Sequence, residues 1–427
     1  MEVGTNRPLT PEEAAELTEE CFDSFDAFVN RWPKPIRDWD SGQVVEWEGE
    51  GVTIKDITGR TFIDCLGGYG VFTLGHRHPE VIAAVKAQLD RLALHSQKLL
   101  NPIAYEAAKR LAKVSPGDLK RTFFTNSGTE AVEGALKLAR LYTRKPKFVS
   151  TVNSFHGKTL GSLSVTGRDI FRKPMLPLLA VSFVPFGDAG AVERAIDDET
   201  CAVIVEPIQG EGGVHVPPDD YLPALREITR KKNVLLIVDE VQTGLGRTGK
   251  MFGVDHWGVV PDIMCLAKGL SGGVIPCGAF HTNDEIWRSF HPLPLFQTST
   301  FGSNPLAVTC AAKTIEITAR DRLPERAAET GAYFLGKLEE LIERLPGVIR
   351  EARGKGLLIG LEAITEELGT RLAHALFDRD VLVANTLNNP RVIRIEPPLI
   401  IERAVVDEVL GRMEAAMKAV RAAPSGR

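Results

Sequence analysis

The sequence predicts an α/β protein: a mostly parallel sheet flanked by helices, joined to a smaller α+β domain. From about Pro79 the apolar runs RTFFT, KFVST, VSFV, AVIV, VLLIV, DIMCL and CGAF alternate with helical segments. These runs are continuous rather than alternating, the pattern of strands covered on both faces by helices. After about Ala311 the order becomes a long helix, the stretch EARGKGLLIGLE, another helix and a strand pair ending in VIRIEPPL. The expected division is an N-terminal helix and small sheet over 1–75, a large domain over 76–312 and a small domain over 313–427.

Taken in order, Thr10 to Val29 carries helical periodicity, opened by Thr10-Pro11-Glu12-Glu13; a proline in the first turn and early acids are helix-start signals. A proline-punctuated link, RWPKPIRDWD, precedes QVVEWEGEGVTIKDITGRTFIDCL, whose alternation predicts a small antiparallel sheet. In TEAVEGALKLARLYTR, residues Val132, Ala135, Leu136 and Ala139 form one apolar helix face. YLPALREITRKK is a second helix of the same region.

Composition narrows the function. A chain of 427 residues is long enough for two or three structural units. Its net charge of -5 argues against a nucleic-acid partner. No apolar run reaches the length of a membrane span, and the polar, acidic N-terminus reads as neither signal nor transit peptide. Six cysteines lack C-x-x-C spacing, and three sit in strand-like contexts, which suggests buried thiols in a reducing cytoplasm. His76 and His78, flanking Arg77, read as loop and helix-cap residues rather than metal ligands.

Two strand ends carry the chemistry. Lys268 follows DIMCL and precedes a glycine cluster; Asp239 closes LLIVD. A buried lysine has a depressed pKa and serves as a nucleophilic amine for Schiff-base chemistry. An acid facing it is what a pyridinium nitrogen needs, so the pair suggests pyridoxal 5'-phosphate (PLP). In FFTNSGTEAVEGALKL, residues Ser127, Gly128 and Thr129 open a helix, where free amides and the helix dipole favour an anion such as a phosphate. An ordinary N-cap has the same appearance. Gly244-x-Gly246-x-x-Gly249 matches a dinucleotide fingerprint in letters, but no amphipathic helix begins at its third glycine, so that reading is rejected. Phe155 and His156 follow KFVST, where an aromatic either stacks on a flat ring or belongs to the core. Arg394 interrupts an apolar strand; it either forks onto a substrate carboxylate or faces solvent. Glu206 and Glu211 lie just beyond another strand end, pointing into a pocket or serving the turn.

Over nearly its whole length the chain resembles the class III aminotransferases of PLP fold type I. The resemblance runs through FIDCLGGYGVFTLGHRHPEV, NSGTEA, FHGKTLGS, VEPIQGEGG, DEVQTGLGRTGK, CLAKGLSGG, TSTFGSNPLA, ARGKGLLIG and VIRIEPPL. It implies a large domain with a mostly parallel sheet and a small domain built from both termini. Lys268 is then the lysine that carries PLP and Asp239 the pyridinium partner. Phe155, with His156 beside it, and Val241 sandwich the ring, Gln242 lies near the phenolic oxygen, and Ser127, Gly128 and Thr129 hold the phosphate. Thr300 reaches the phosphate of a neighbouring subunit, so a homodimer or a dimer of dimers with shared sites is implied. Arg394 corresponds to the carboxylate-binding arginine and Glu211 to the acid that pairs with it. LHSQKLLNP, FRKPMLPLL and TLNNPRVIRIEPPL most resemble the branch acting on diamines such as putrescine.

One departure bears on the donor. Members acting on ornithine or acetylornithine carry arginine after F-x-G; here the residue is Lys158, which lacks the planar bidentate fork. That favours a donor with an amine at each end, putrescine or cadaverine, with 2-oxoglutarate as acceptor. Tyr69 points instead toward ornithine-type members, and Gln97 is assigned to the diamine pocket. Ornithine, acetylornithine and GABA remain alternative donors. An amino-acid racemase is the alternative of another class.

Overall fold

The computed structural model describes residues 9–28 and 44–422. The N-terminal helix spans Pro11–Phe28; the link RWPKPIRDWD lies outside the described residues. Fifteen strands follow among the described residues, in three sheets. The first sheet joins β1 (Glu46–Glu50), β2 (Thr53–Asp56) and β3 (Thr61–Asp64) as an antiparallel meander. Its fourth strand comes from far along the chain: β13 (Val381–Leu382) pairs parallel with β3, Val381 opposite Ile63.

The central sheet has seven strands in the order β4-β10-β9-β8-β7-β5-β6. These are β4 (Arg121–Thr125), β5 (Lys147–Thr151), β6 (Val181–Val184), β7 (Thr200–Val205), β8 (Leu235–Asp239), β9 (Ile263–Leu266) and β10 (Gly278–Thr282). Every pairing is parallel except those of β10, which runs antiparallel to both β4 and β9. All residues of β7, β8 and β9 are buried. Successive side chains leave opposite faces. Phe148, Ile204, Ile237 and Ile263 meet Val132, Ala135, Leu136 and Ala139 of the helix Gly128–Thr143. Val149, Val203, Leu236 and Met264 meet Leu222 and Leu225 of Tyr221–Lys231, together with Val308 and Ala311 of Pro305–Arg320. Each fully buried aliphatic side chain contributes roughly 1.5–3 kcal/mol. Gly134 sits in mid-helix despite its low propensity because a Cβ there would stand 2.2 Å from the Phe280 ring.

The third sheet, in the order β11-β12-β15-β14, is antiparallel: β11 (Ile349–Lys355), β12 (Leu358–Ala363), β14 (Ala384–Asn385) and β15 (Val392–Ile395). Ile359, Leu361, Ile393 and Ile395 pack on Phe334 and Leu338 of Leu323–Arg344 and on Val409 and Met413 of the last helix, Arg403–Ala422. Among the described residues no helix is long and apolar enough to cross a membrane. Gly244 to Gly249 is a run of turns and bends after β8, so no helix begins at its third glycine. His76 lies outside any helix or strand and His78 is the N-cap of Pro79–Arg91; His76 is buried, with its Nε2 2.7 Å from Asp64 Oδ2.

Candidate active site

The carboxyl ends of the parallel strands converge on one cleft of about 560 Å³, the place where open α/β sheets bind ligands. Asp239 closes β8, Glu206 follows β7 directly, Ser127 follows β4 and Lys268 follows β9. All four, with Phe155, His156, Val241, Gln242 and Glu211, line the cleft.

Lys268 heads the connection that turns the chain back from β9 into antiparallel β10. Its φ is +42°, a left-handed conformation that costs a non-glycine residue roughly 1–3 kcal/mol and is typical of functional sites. Burial lowers its pKa, against the opposing pull of the Glu396 and Glu211 carboxylates. A neutral, nucleophilic amine is thereby brought nearer to physiological pH.

Asp239 is held from two sides. His156 Nδ1 lies 2.8 Å from its Oδ2, and the Val241 amide donates to Oδ1 at 3.0 Å. His156 is itself buried, and its Nε2 has no hydrogen-bond partner among the described residues. Beside this pair burial pushes the Glu206 carboxyl up to about 7, while the nearby Asp239 charge raises it further and His156 opposes. Glu206 accepts hydrogen bonds from the amides of Phe155 and Gly210, both at 3.1 Å.

Across the cleft the helix Gly128–Thr143 points its N-terminus inward. Ser127 caps it, accepting from the Glu130 amide at 3.3 Å. A Cβ on Gly128 would stand 3.1 Å from Val241 Cγ1, so glycine lets the helix start close under the cleft wall. Thr129 Oγ1 lies 2.6 Å from Ser162 Oγ. An amine on one wall, an acid on another and a helix N-terminus, which favours an anion, on a third, with apolar Phe155 and Val241 between, fit the charges and flat ring of PLP.

Arg394 stands behind Glu211 and is fully buried, which removes the solvent-facing reading. The alternation of β15 explains this: Ile393 and Ile395 enter the small-domain core, so Arg394 and Glu396 project from the opposite face. Arg394 Nη1 lies 2.7 Å from Glu211 Oε1, and Nε lies 3.0 Å from Glu396 Oε2. Burial pushes the Glu211 pKa up, but Arg394 and then Lys268 hold it below the ordinary carboxylate value. The turn also serves the loop 387–388, since Glu211 Oε2 accepts from the Leu387 amide at 2.9 Å.

The other expected residues lie at the rim or beyond it. Lys158 is exposed at the mouth, its Nζ 4.9 Å from the Phe171 ring centre and 5.8 Å from that of Phe155. Tyr69 is partly exposed, with the Arg394 guanidinium 5.4 Å from its ring centre. Gln97 and Thr300 are exposed and do not line the cleft; the Gln97 amide donates to the Thr300 carbonyl. Gln242 lines the cleft, and its amide donates to Glu396 at 2.9 Å. Glu396 is the residue that sequence reasoning missed. Its signal was the spacing R-I-E in an apolar strand, which places two charges on one face.

The sequence profile described as Aminotransferase class-III matches residues 38–417. Putrescine aminotransferase of Pectobacterium atrosepticum is 46% identical over 425 residues, covering 96% of this chain and 91% of that protein. The ornithine aminotransferase from Toxoplasma gondii ME49 superposes with a TM-score of 0.88 at 33% identity, over 97% of this chain and 99% of that one. A second Toxoplasma gondii structure, with partial occupancy of PLP at its active site, gives a TM-score of 0.87 at 33% identity, over 97% and 99% of the two chains.

Proposed function

The chain belongs to the class III aminotransferases, PLP-dependent enzymes, and on that premise we propose that it transfers an amino group from a diamine to 2-oxoglutarate. Putrescine is the first donor and cadaverine the second, with 4-aminobutanal, which cyclises to 1-pyrroline, and glutamate as the products from putrescine. The observation that carries this reading is the buried Arg394–Glu211 pair at 2.7 Å, facing the cleft of Lys268. A carboxylate already seated on Arg394 competes with any donor carboxylate for that arginine, and suits a donor whose far end is an ammonium. The name of the relative from Pectobacterium atrosepticum supports the same donor, and so does Lys158 where a second arginine clamp would stand.

Bound PLP supplies an electrophilic carbonyl and a ring that accepts electron density. The roles of the side chains follow from their places. Lys268 would be the amine that holds the cofactor, and once freed it would act as the base that takes the proton from the substrate carbon onto its Nζ. Asp239, fixed by His156 and the Val241 amide, would keep the ring nitrogen protonated. Ser127, Gly128 and Thr129 would hold the phosphate, Phe155 and Val241 would flank the ring, and Gln242 would serve its oxygen. In the second half-reaction Glu211 leaves Arg394, which then binds a carboxylate of 2-oxoglutarate. Tyr69, set against Arg394, is the observation favouring ornithine as a second reading.

A homodimer completes the proposal, with Thr300 reaching the phosphate in the partner's site and Gln97 beside it. Large apolar side chains flank both residues and are exposed: Leu99 at 79%, Leu100 at 100% and Leu295 at 81%. Surface of that kind marks an interface. Free cysteines, five of them buried, support the reducing cytoplasm as its compartment. The test is a donor panel with 2-oxoglutarate: putrescine, cadaverine, ornithine, acetylornithine, lysine and GABA. Preference for putrescine and cadaverine is expected; strong preference for an α-amino acid overturns the assignment.

A further inference from the structure

Arg394 meets two carboxylates, and only one of them stands where it can leave. Glu211 lies on the loop after β7 and lines the cleft. Glu396 is fully buried, two residues beyond Arg394 on the same face of the chain. Its Oε2 accepts a hydrogen bond from the Gln242 amide at 2.9 Å and lies 3.0 Å from Arg394 Nε as an ion pair. Its Oε1 lies 4.0 Å from Nε of Arg247, a second fully buried arginine. The loop Gly67–Gly70 closes over it: a Cβ on Gly70 would stand 2.7 Å from Glu396 Oε1, and one on Gly67 would stand 2.1 Å from its carbonyl oxygen. Arg394 Nη2 has no hydrogen-bond partner among the described residues, and Nε meets Glu396 as an ion pair without hydrogen-bond alignment.

We propose that Glu396 is a specificity-determining residue, a fixed second counter-ion on Arg394 that makes the far end of the cleft accept an ammonium group. The inference rests on the diamine reading above. With Glu211 in place, two arginines face two carboxylates and the cluster is formally neutral. Loss of the Glu396 charge leaves one net positive charge in a site poor in water, and a second ammonium is repelled. When an acceptor carboxylate replaces Glu211, one anion replaces another, while Glu396 keeps the Nε side of Arg394 fixed. The Nη1 and Nη2 edge is then presented as a fork. The same carboxylate is felt across the cleft, being the largest charge that opposes the burial effect on Lys268.

The test uses the holoenzyme and two amines of equal chain length, putrescine and n-butylamine, which lacks the second ammonium. Single-turnover loss of the bound cofactor's absorption gives kcat/KM-type constants for each, for the wild type, Glu396→Gln and Glu396→Asp. An effective dielectric near 20 and a separation near 8 Å make one charge worth roughly tenfold or more in the diamine-to-monoamine ratio. Glu396→Gln is expected to lose that factor, while Glu396→Asp, which keeps the charge, retains most of it. Equal loss for both amines, or an unchanged ratio, overturns the proposal, because a purely structural carboxylate affects both amines alike. If Glu396→Gln alone does not fold, Arg247→Gln gives the opposite perturbation of the same cluster: it leaves one uncompensated negative charge beside Arg394, and the diamine-to-monoamine ratio is expected to rise several-fold. An unchanged or lower ratio in Arg247→Gln counts against the proposal equally. A wild-type enzyme without any diamine preference sinks the function reading before a variant is made, which separates that failure from failure at Glu396 alone.

Discussion

Replacing Glu211 with glutamine moves the two half-reactions in opposite directions. Its carboxylate lies 2.7 Å from Nη1 of a fully buried arginine, a charge-assisted hydrogen bond that contributes about 1.5–3 kcal/mol. Any dicarboxylate binding at Arg394 first has to displace it. Without the anionic competitor, a dicarboxylate gains the same amount, roughly ten- to hundredfold in affinity at 1.4 kcal/mol per tenfold. The diamine loses a carboxylate facing its second ammonium, and its kcat/KM is expected to fall about tenfold or more. Glutamine preserves the shape and can still accept from the Leu387 amide, which the carboxylate does at 2.9 Å. The assay is competition by glutarate, a dicarboxylate without a keto group, alongside donor kinetics with putrescine. Weaker or unchanged glutarate inhibition, or a shift of both ligands in one direction, would refute the idea that Glu211 and substrate carboxylate share Arg394.

Three further outcomes are expected. Lys268→Ala abolishes turnover with every donor while thermal unfolding shows an intact fold; near-normal activity ends the proposed mechanism. Asp239→Asn retains the cofactor but lowers turnover by about a hundredfold or more, because the ring nitrogen loses its charge partner; turnover within a few fold of wild type excludes that role. For Glu240, burial raises the carboxyl from 4.5 to about 7. The folded state therefore binds the proton more tightly than the unfolded chain, and stability falls as pH rises through that window, by roughly 3 kcal/mol in full. Glu206 acts in the same sense. Glu240→Gln is expected to flatten the change in thermal midpoint between about pH 5 and about pH 8, and an unaltered slope in the variant contradicts the assignment.

The legible parts of the chain are those where local pattern and tertiary environment agree. β7, β8 and β9 read as continuous apolar runs because both their faces are covered, and the acid and amine at their ends stood out against that background. β13 was not legible: two residues, Val381 and Leu382, complete a sheet whose other strands lie more than three hundred positions earlier, and so short a run has no period. Arg394 was legible as an anomaly but not as a buried one. Its burial depends on which face of β15 the small-domain core takes. His76 was legible as a loop residue but not as a buried one, because its partner, Asp64, approaches only in three dimensions.

By itself, then, the sequence determined the order of strands and helices, the capped helix start at Ser127 and the amine and acid of Lys268 and Asp239. Those properties are carried by neighbours along the chain: runs of apolar residues, caps and strand ends. Tertiary structure alone decided how charges from distant segments balance. Glu211, Gln242, Arg247, Arg394 and Glu396 meet in one buried cluster, and in a medium of low polarisability the interaction of such groups depends on separations of a few ångströms, which the order of residues does not encode directly.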